Sequence, residues 1–240
     1  MKKEGVILAA GIGSRLRPLT NNIPKSMVEV AGTPLLERLL TQINKYKSTS
    51  TNINVVVGYC SESIINLTNT LFNEVKIISN PKYDSTNNMY SLKLALDCID
   101  NDSSIVIINA DCIYDNHIVD VMLNLSRDSI AIDKNLFSDE SMKVMLDDNS
   151  FVHSMSKLLN KNDKTFVSMD IYFFINSTFI NLHKVINQII SNDDLNSWTE
   201  VGIDLTSRLE GVNISTVSFD DKWVEIDNKD DLELANNLFN

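Results

Sequence analysis

Apolar residues are distributed along this chain in two alternating patterns. Short unbroken apolar runs are typical of buried strands, whereas apolar residues that recur about every 3.6 residues are typical of helices packed on one face. In the first half of the chain the two patterns alternate regularly. The predicted strands there are Val6–Ala10, Ile53–Val57, Val75–Ile78 and Ile105–Ile108, and the predicted helices are Thr33–Lys47, a helix capped by Ser61, and Met89–Ile99.

This strand–helix rhythm predicts a Rossmann-like three-layer α/β/α fold with a mixed, mostly parallel sheet. The rhythm changes after about residue 128, where Asp147–Ser150 has the composition of a hairpin turn. No internal repeat or long linker interrupts the pattern, so we predict a single domain over residues 1–240. The elements predicted in the second half are strands Lys143–Leu146, Phe151–Ser156, Phe166–Phe174, Ile214–Phe219 and Val224–Ile226, and helices Ser177–Ile190, Ser197–Gly211 and Lys229–Phe239.

Composition and charge exclude several functional classes for a protein with this predicted fold. The 240 residues carry a net charge of −11, which argues against a general nucleic-acid or anionic-membrane binder, because either needs a basic face. No apolar stretch approaches the roughly 18 residues of a membrane span. Cys60, Cys98 and Cys112 are odd in number and lack C-x-x-C spacing, which disfavours a disulfide framework and a cysteine zinc site. We therefore predict a reduced, cytoplasmic protein.

Small and basic residues directly follow the first predicted strand. Gly11-Ile12-Gly13-Ser14 is succeeded by Arg15 and, after a polar stretch, by Lys25. A tight loop with free backbone N–H groups and nearby cations suits a phosphate group. The P-loop pattern is absent, and G-x-G-x-x-G fails because Leu16 occupies the third glycine position. A bare G-x-G alone would also fit an ordinary strand-to-helix turn.

The complete string from Leu8 to Lys25 is more specific than its glycines. It resembles the signature of the nucleotidyltransferases that make nucleotide-sugars and CDP-alcohols, and the matching residues are Leu8, Ala9, Ala10, Gly11, Gly13, Ser14, Arg15, Leu16, Pro18, Leu19, Thr20, Pro24 and Lys25. The resemblance implies the nucleotide-diphospho-sugar transferase fold, with a nucleotide-binding half (1–128) and an acceptor-binding half plus C-terminal helix (129–240). It also implies catalytic roles for Arg15 and Lys25, and nucleotide contacts from Leu8–Gly11, Gly13, Ser14 and Arg15.

A second segment, Thr86–Leu92, points to the nucleotide. It resembles the corresponding segment of phosphocholine and aminoethylphosphonate cytidylyltransferases, which implies that Asn87, Asn88 and Ser91 contact the base and that the nucleotide is CTP. The alternative is that the asparagines only cap a helix.

Two aspartates follow predicted strands, where open α/β sheets place their ligands. Asp111 comes after Ile105–Ile108, and Asp227 comes after Val224–Ile226. An aspartate in such a position often caps a helix, and Asp227 could cap the last one. The resemblance instead implies that Asp111 and Asp227 bind Mg²⁺, a cation that prefers oxygen ligands.

The acceptor is the least defined part of the sequence. The family carries a lysine at the end of a strand that corresponds to Lys157, which implies contact with an acceptor phosphate. Tyr172, Trp198 and Trp223 are candidates for an aromatic cage around a quaternary ammonium group. Tyr90 would complete the cage, and Asp133, Asp170 or Glu200 would add charge. The alternatives are that the tryptophans pack in the core and that Glu200 belongs to a capping box opened by Ser197.

The reaction implied by the resemblance is attack of a phosphate-monoester acceptor on the α-phosphorus of CTP, with release of pyrophosphate. It needs no general base, because the acceptor is already ionised, and the three histidines show no catalytic spacing. A phosphocholine-like acceptor is favoured over a sugar-1-phosphate. A non-catalytic regulatory subunit is disfavoured, since Arg15, Lys25 and both aspartates are present. The expected partners are CTP and a small phospho-acceptor, with a possible homodimer.

Overall fold

The computed structural model describes residues 2–240, which form a central mixed sheet with helices on both faces. The strands are β1 (Lys3–Ala9), β2 (Glu29–Val30), β3 (Thr33–Pro34), β4 (Thr51–Val57), β5 (Val75–Ser79), β6 (Ser104–Asn109), β7 (Cys112–Tyr114), β8 (Ser129–Asp133), β9 (Lys143–Leu146), β10 (Val152–Ser156), β11 (Thr165–Phe174), β12 (Ser215–Phe219) and β13 (Trp223–Glu225). The helices are α1 (Leu35–Tyr46), α2 (Glu62–Leu71), α3 (Asn88–Leu96), α4 (Asn116–Leu123), α5 (Asn176–Ser191), α6 (Thr199–Ser207) and α7 (Lys229–Leu238).

The main sheet has the strand order β10-β9-β11-β6-β1-β4-β5, with β8 pairing to β11 and β12 pairing to β8. Strands β6, β1, β4 and β5 run parallel, whereas β11 runs antiparallel to β6 and β9. Two small antiparallel pairs, β2–β3 and β7–β13, lie outside the main sheet. The predicted Rossmann-like, mostly parallel arrangement is confirmed in the first half, and the antiparallel strands of the main sheet belong to the second half.

Side chains of β1 alternate between the two faces of the sheet, as the period of a strand requires. Ile7 packs into a core cluster with residues of α1, α2 and α4. Leu8 packs into a second cluster with residues of α3, α5 and α6. The strand is therefore buried on both sides, which is why its sequence is continuously apolar rather than alternating.

Several short elements of the structure were not predicted from the sequence pattern, among them β2, β3, β7, α4 and β8. Helix α4 is only two turns long, and β8 is a five-residue strand between β11 and β12. Asp115 caps the N-terminus of α4, because its side chain accepts a hydrogen bond from the backbone N–H of His117 at 3.3 Å. Short elements give too few periods for hydrophobic spacing to identify them.

The capping box predicted at Ser197 is wrong. Trp198 is the N-cap of α6 and makes no side-chain capping bond, while the Ser197 hydroxyl donates to Asp194 at 2.6 Å. Helix α6 also ends at Ser207, before Gly211. The Glu200 side chain therefore takes no part in capping α6. It is buried and can contact other interior groups. Separately, none of the helices between residues 2 and 240 has both the length and the apolar character needed to cross a membrane.

Candidate active site

The glycine loop leaves the carboxyl end of β1 and folds back on itself. Gly13 has φ +67°, and a Cβ placed there would lie 2.9 Å from the Cβ of Lys25. The Thr20 hydroxyl donates to the Gly13 carbonyl at 2.7 Å, and the Lys25 backbone N–H donates to the Gly11 carbonyl at 3.3 Å. Only glycine combines this backbone conformation with so close an approach. The loop therefore brings Lys25 back beside the glycines that precede it.

Lys25 lies at the centre of a charged network. Its Nζ atom is 2.7 Å from Asp111 Oδ2 and 2.6 Å from Asp227 Oδ1, and Arg15 Nη2 is 2.8 Å from Asp227 Oδ2. Burial alone would lower the pKa of Lys25, but the two carboxylates raise it well above its usual value. Burial likewise opposes ionisation of Asp227, and Lys25 and Arg15 together hold its pKa below the usual value. Lys25 and Asp227 are therefore both ionised at neutral pH.

The pairing of β7 with β13 brings the two aspartates together. Asp111 immediately precedes β7, and its carbonyl accepts a hydrogen bond from the Ile226 backbone N–H at 3.0 Å. The alternative that Asp227 caps the last helix is wrong, because Asn228 is the N-cap of α7 and forms a capping box with Asp231. Asp227 is thereby left free to face Lys25.

The residues at this point fit a divalent cation. Carboxylate oxygens of Asp111, Glu225 and Asp227 lie within 4.8 Å of one another, and three hard oxygen donors are a ligand set that Mg²⁺ accepts. The sequence analysis did not include Glu225 among the metal ligands. Its position two residues before Asp227 at the end of a strand was the available signal, because alternate residues share a face. Burial and the charges of Asp170 and Asp111 raise the pKa of Glu225 to about 8.

One cleft, with a cavity volume of about 390 Å³, joins the glycine loop to the antiparallel half of the sheet. Most of the site residues predicted from the sequence line it. These are Leu8, Ala9, Ala10, Gly11, Gly13, Ser14, Arg15, Lys25, Asn87, Asn88, Ser91, Asp111, Lys157, Trp198 and Asp227. The sequence analysis missed several other lining residues, among them Asn80, Tyr83, Asn109 and Met142.

The asparagine pair links α3 to the segment before α6. The Asn87 side chain caps α3 by accepting from the Asn88 backbone N–H at 2.8 Å, and its Nδ2 donates to the Asn196 carbonyl at 3.1 Å. Asn88 Oδ1 accepts from the Thr199 backbone N–H at 2.8 Å. The Ser91 hydroxyl is buried and accepts from Asn80 Nδ2 at 3.0 Å. Both oxygens of the pair are thus used within the protein, while the residues still line the cleft.

The predicted aromatic cage does not form. Trp223 Nε1 donates to Asp133 Oδ2 at 2.8 Å, its side chain packs against the core cluster of α1, α2 and α4, and it is not part of the cleft lining. Tyr172 is fully buried behind the cleft. Only Trp198 lies at the cleft, with its ring covered by Lys157 Nζ at 5.0 Å from the centroid. The alternative that the tryptophans pack in the core therefore holds for Trp223.

Two buried carboxyl groups occupy the place where the cage was expected. The Tyr172 hydroxyl lies 2.9 Å from Asp170 Oδ1 and 2.8 Å from Glu200 Oε1. Asp170 has φ +57° at a register shift in β11, so the strand is distorted where this side chain enters the cleft. Burial and the charges of Glu200 and Asp111 raise the pKa of Asp170 to about 7. Burial also raises the pKa of Glu200.

A glycine loop at the end of a central strand, a lysine and an arginine beside it, and a carboxylate cluster facing them define a class of enzyme. It is the class that transfers a nucleotidyl group from a nucleoside triphosphate to an acceptor bound in the same cleft. The chain belongs to the nucleotidyl transferase family, whose model matches residues 4–238. The family resemblance inferred from the loop is confirmed.

Relatives with different activities resemble the chain over most of its length. It is 29% identical to the CTP:phosphoglutamine cytidylyltransferase of Campylobacter jejuni over 96% of this chain and 98% of the relative. It is 30% identical to the bifunctional protein GlmU of Methanococcus aeolicus over 73% of this chain, but spans only 41% of that protein's length. The structure of CTP:phosphocholine cytidylyltransferase from Streptococcus pneumoniae has the same fold, with a TM-score of 0.84, 21% identity and full coverage of both chains.

Proposed function

We propose that this protein is a cytidylyltransferase that joins CTP to a small phosphorylated or phosphonylated alcohol or amine and releases pyrophosphate. The observation that carries the proposal is the position of Lys25, which lies between the glycine loop and two aspartates in a cleft that continues into a second subsite. The similarity to the Campylobacter cytidylyltransferase along nearly the whole chain supports the choice of nucleotide and acceptor class.

Catalysis in this cleft rests on positioning and on charge neutralisation. The acceptor phosphate is ionised at neutral pH, so its oxygen attacks the α-phosphorus without a general base. Lys25 stays protonated and is placed to neutralise charge as the new bond forms, and Arg15 is placed to hold the triphosphate. Asp111, Glu225 and Asp227 would hold Mg²⁺, which when bound neutralises phosphate charge. Lys157 would contact the acceptor phosphate from the other side of the cleft.

A preference for cytosine follows from the hydrogen bonds that Asn88 already makes. Its Oδ1 is engaged by Thr199, so the group it has left for a base is the Nδ2 donor. Cytosine N3 accepts a hydrogen bond, whereas uracil N3 carries a proton, and a donor facing uracil would leave two polar hydrogens opposed. Asn88→Asp keeps the oxygen for Thr199 and removes the donor. It should lower the preference for CTP over UTP by about tenfold, measured as the ratio of kcat/KM values. An unchanged ratio would remove Asn88 from base recognition.

The decisive experiment is a matrix of the four nucleoside triphosphates against phosphocholine, aminoethylphosphonate, glycerol phosphate and common sugar-1-phosphates, assayed by pyrophosphate release. We expect turnover with CTP and with a small phospho-acceptor. Turnover of UTP or dTTP with a sugar-1-phosphate, and none of CTP with any small acceptor, would instead make the protein a sugar-1-phosphate nucleotidyltransferase. The possible homodimer and the cytoplasmic location stay predictions from the sequence.

A further inference from the structure

The inner part of the cleft carries acceptors of hydrogen bonds and very few donors. We call Asn109, Asp170 and Glu200 the acidic end of the cleft. All three line the cavity and are almost fully buried, with exposed fractions of 9%, 7% and 4%. They come from β6, β11 and α6, so three separate elements converge on this point. Buried carboxyl groups without a cation are uncommon in proteins, because their burial is unfavourable unless they are paired.

None of the donors that these oxygens have inside the protein carries a positive charge. The Tyr172 hydroxyl lies within hydrogen-bond distance of both Asp170 and Glu200, yet it has a single proton and can donate to only one of them. The Ser168 hydroxyl reaches Asp170 Oδ1 at 3.3 Å, a long contact. The Asn109 side chain and the backbone N–H of Glu200 are further donors. All of these donors are neutral, so two ionised carboxyl groups would still lack a positive partner.

A second observation, independent of the carboxyl groups, points to a ligand here. Asn109 Oδ1 is buried and has no hydrogen-bond partner anywhere in residues 2–240. Buried carbonyl oxygens are nearly always paired in native proteins. An unpaired oxygen on the wall of a cavity is therefore a position for a donor that arrives with a bound molecule.

The chemistry of these three residues selects one kind of ligand group. From this arrangement we propose that the acidic end binds the protonated amine of the acceptor through N–H donors, so that the acceptor is a phosphorylated or phosphonylated amine rather than a quaternary ammonium compound. A primary ammonium group offers three N–H donors and a positive charge. A trimethylammonium group has no N–H donor and depends on aromatic faces. Of the predicted cage only Trp198 lies at the cleft, and its ring already faces Lys157, because Tyr172 is buried and Trp223 points elsewhere. This inference rests on the proposed function.

The test is a series of acceptors that keeps the charge and removes the donors one by one. Phosphoethanolamine and its mono-, di- and trimethylated forms, the last being phosphocholine, are compared at saturating CTP, with glycerol phosphate as the acceptor that lacks an ammonium group. We expect kcat/KM to fall along the series and to be at least about tenfold higher for the primary amine than for phosphocholine. Equal or better use of phosphocholine would overturn the proposal.

Variants at Asp170 separate recognition from a structural role. Asp170→Asn and Asp170→Gly both tolerate the φ of +57°, so the backbone of β11 should be retained. Each should reduce the preference for phosphoethanolamine over glycerol phosphate by about tenfold or more, through the KM of the amine. Asp193→Asn is the matched control, because Asp193 has φ +62° on an exposed loop and should leave this preference unchanged.

A structural role for Asp170 would give a different result. If the residue only links Tyr172 and Glu200 as a protonated acid, its replacement would affect all acceptors equally, and the proposal would be wrong. Failure of the proposed function is a separate outcome, since it would appear in the unmodified enzyme as a lack of CTP turnover with every member of the series.

Discussion

The two ends of the cleft are built in opposite ways. The nucleotide end is made largely by one continuous stretch, in which the loop after β1 supplies Gly13, Arg15 and Lys25 within a few residues. The proposed acceptor end is lined by Lys157, just after β10, by Asp170 of β11 and by Glu200 of α6, which are far apart in the sequence and meet only when the fold is complete. Under the proposed function the first end would determine what reaction is possible. The second end would determine which molecule receives the nucleotide, and it could change without altering the chemistry.

If nucleotidyl transfer takes place where the two ends of the cleft meet, loss of the metal or of a carboxylate from the cluster of Asp111, Glu225 and Asp227 should reduce turnover most. We expect EDTA to abolish turnover and added Mg²⁺ to restore it. Asp111→Asn should lower kcat/KM about a thousandfold, a loss of roughly 4 kcal/mol of transition-state stabilisation. Asp163→Asn, on an exposed loop, is the control. Activity of Asp111→Asn near that of the control would place the metal elsewhere.

Replacement of Lys25 should have the next largest effect, and it should lower the rate of turnover rather than weaken nucleotide binding. Lys25→Ala should lower kcat about a hundredfold and change the KM for CTP little, since its charge matters most as the α-phosphorus is attacked. Steady-state kinetics at varied CTP separates the two parameters. A rise in KM with unchanged kcat would mean that Lys25 contributes only to ground-state binding.

The glycine loop can be tested with a pair of matched substitutions. Gly13 and Gly211 both have positive φ, but only at Gly13 would a Cβ meet another side chain, that of Lys25 at 2.9 Å. Both Gly→Ala changes should cost about 1–2 kcal/mol of stability through the backbone. Only Gly13→Ala should also raise the KM for CTP, by about tenfold, because the loop and Lys25 must move apart. Equal kinetics for the two variants would show that the loop tolerates the displacement.

The remaining effect is on stability rather than on turnover, and it concerns the acceptor end as the pH changes. The folded protein raises the pKa of Asp170 to about 7, above the value of about 3.9 in an unfolded chain. Between these values the folded state retains a proton that the unfolded state has lost, so stability should fall as the pH rises from about 4 to 7. Asp170→Asn should reduce this slope by at most about 1.4 kcal/mol per pH unit, measured by urea unfolding in EDTA. An unchanged slope would mean that Asp170 is ionised throughout.

The same contrast explains what could be predicted from the sequence. The nucleotide end depends on neighbouring residues, so the strand, the glycine loop and Lys25 were predictable from local pattern and resemblance. Asp111 and Asp227 were predictable because each follows an apolar run and matches a position of the family signature, although the pairing of β7 with β13 that brings them together was not predicted. Glu200 was misinterpreted, since its spacing from Ser197 matched a capping box that the structure does not contain.

The acceptor end could not be predicted from spacing, because its geometry depends on a distortion inside a strand. The register shift in β11 directs Asp170 toward the cleft, and nothing in the alternation of Phe166–Phe174 marks it. Trp223 was placed at the acceptor by residue type alone. Its partner Asp133 lies in β8, a strand that the sequence pattern did not predict. The hydrogen bond between Trp223 and Asp133 therefore could not be predicted either.

The two carboxylates around Lys25 also determine how this lysine responds to covalent reagents. Acylating reagents attack the free amine, and Lys25 is held as an ammonium ion with only 12% of its side chain exposed. The lysine nearest the chemistry should therefore be among the last to be labelled, well after exposed residues such as Lys134. Amine-directed inhibitors would miss it, whereas substitution of Asp227, which removes one of its two ion pairs, should make it nucleophilic enough to be tagged.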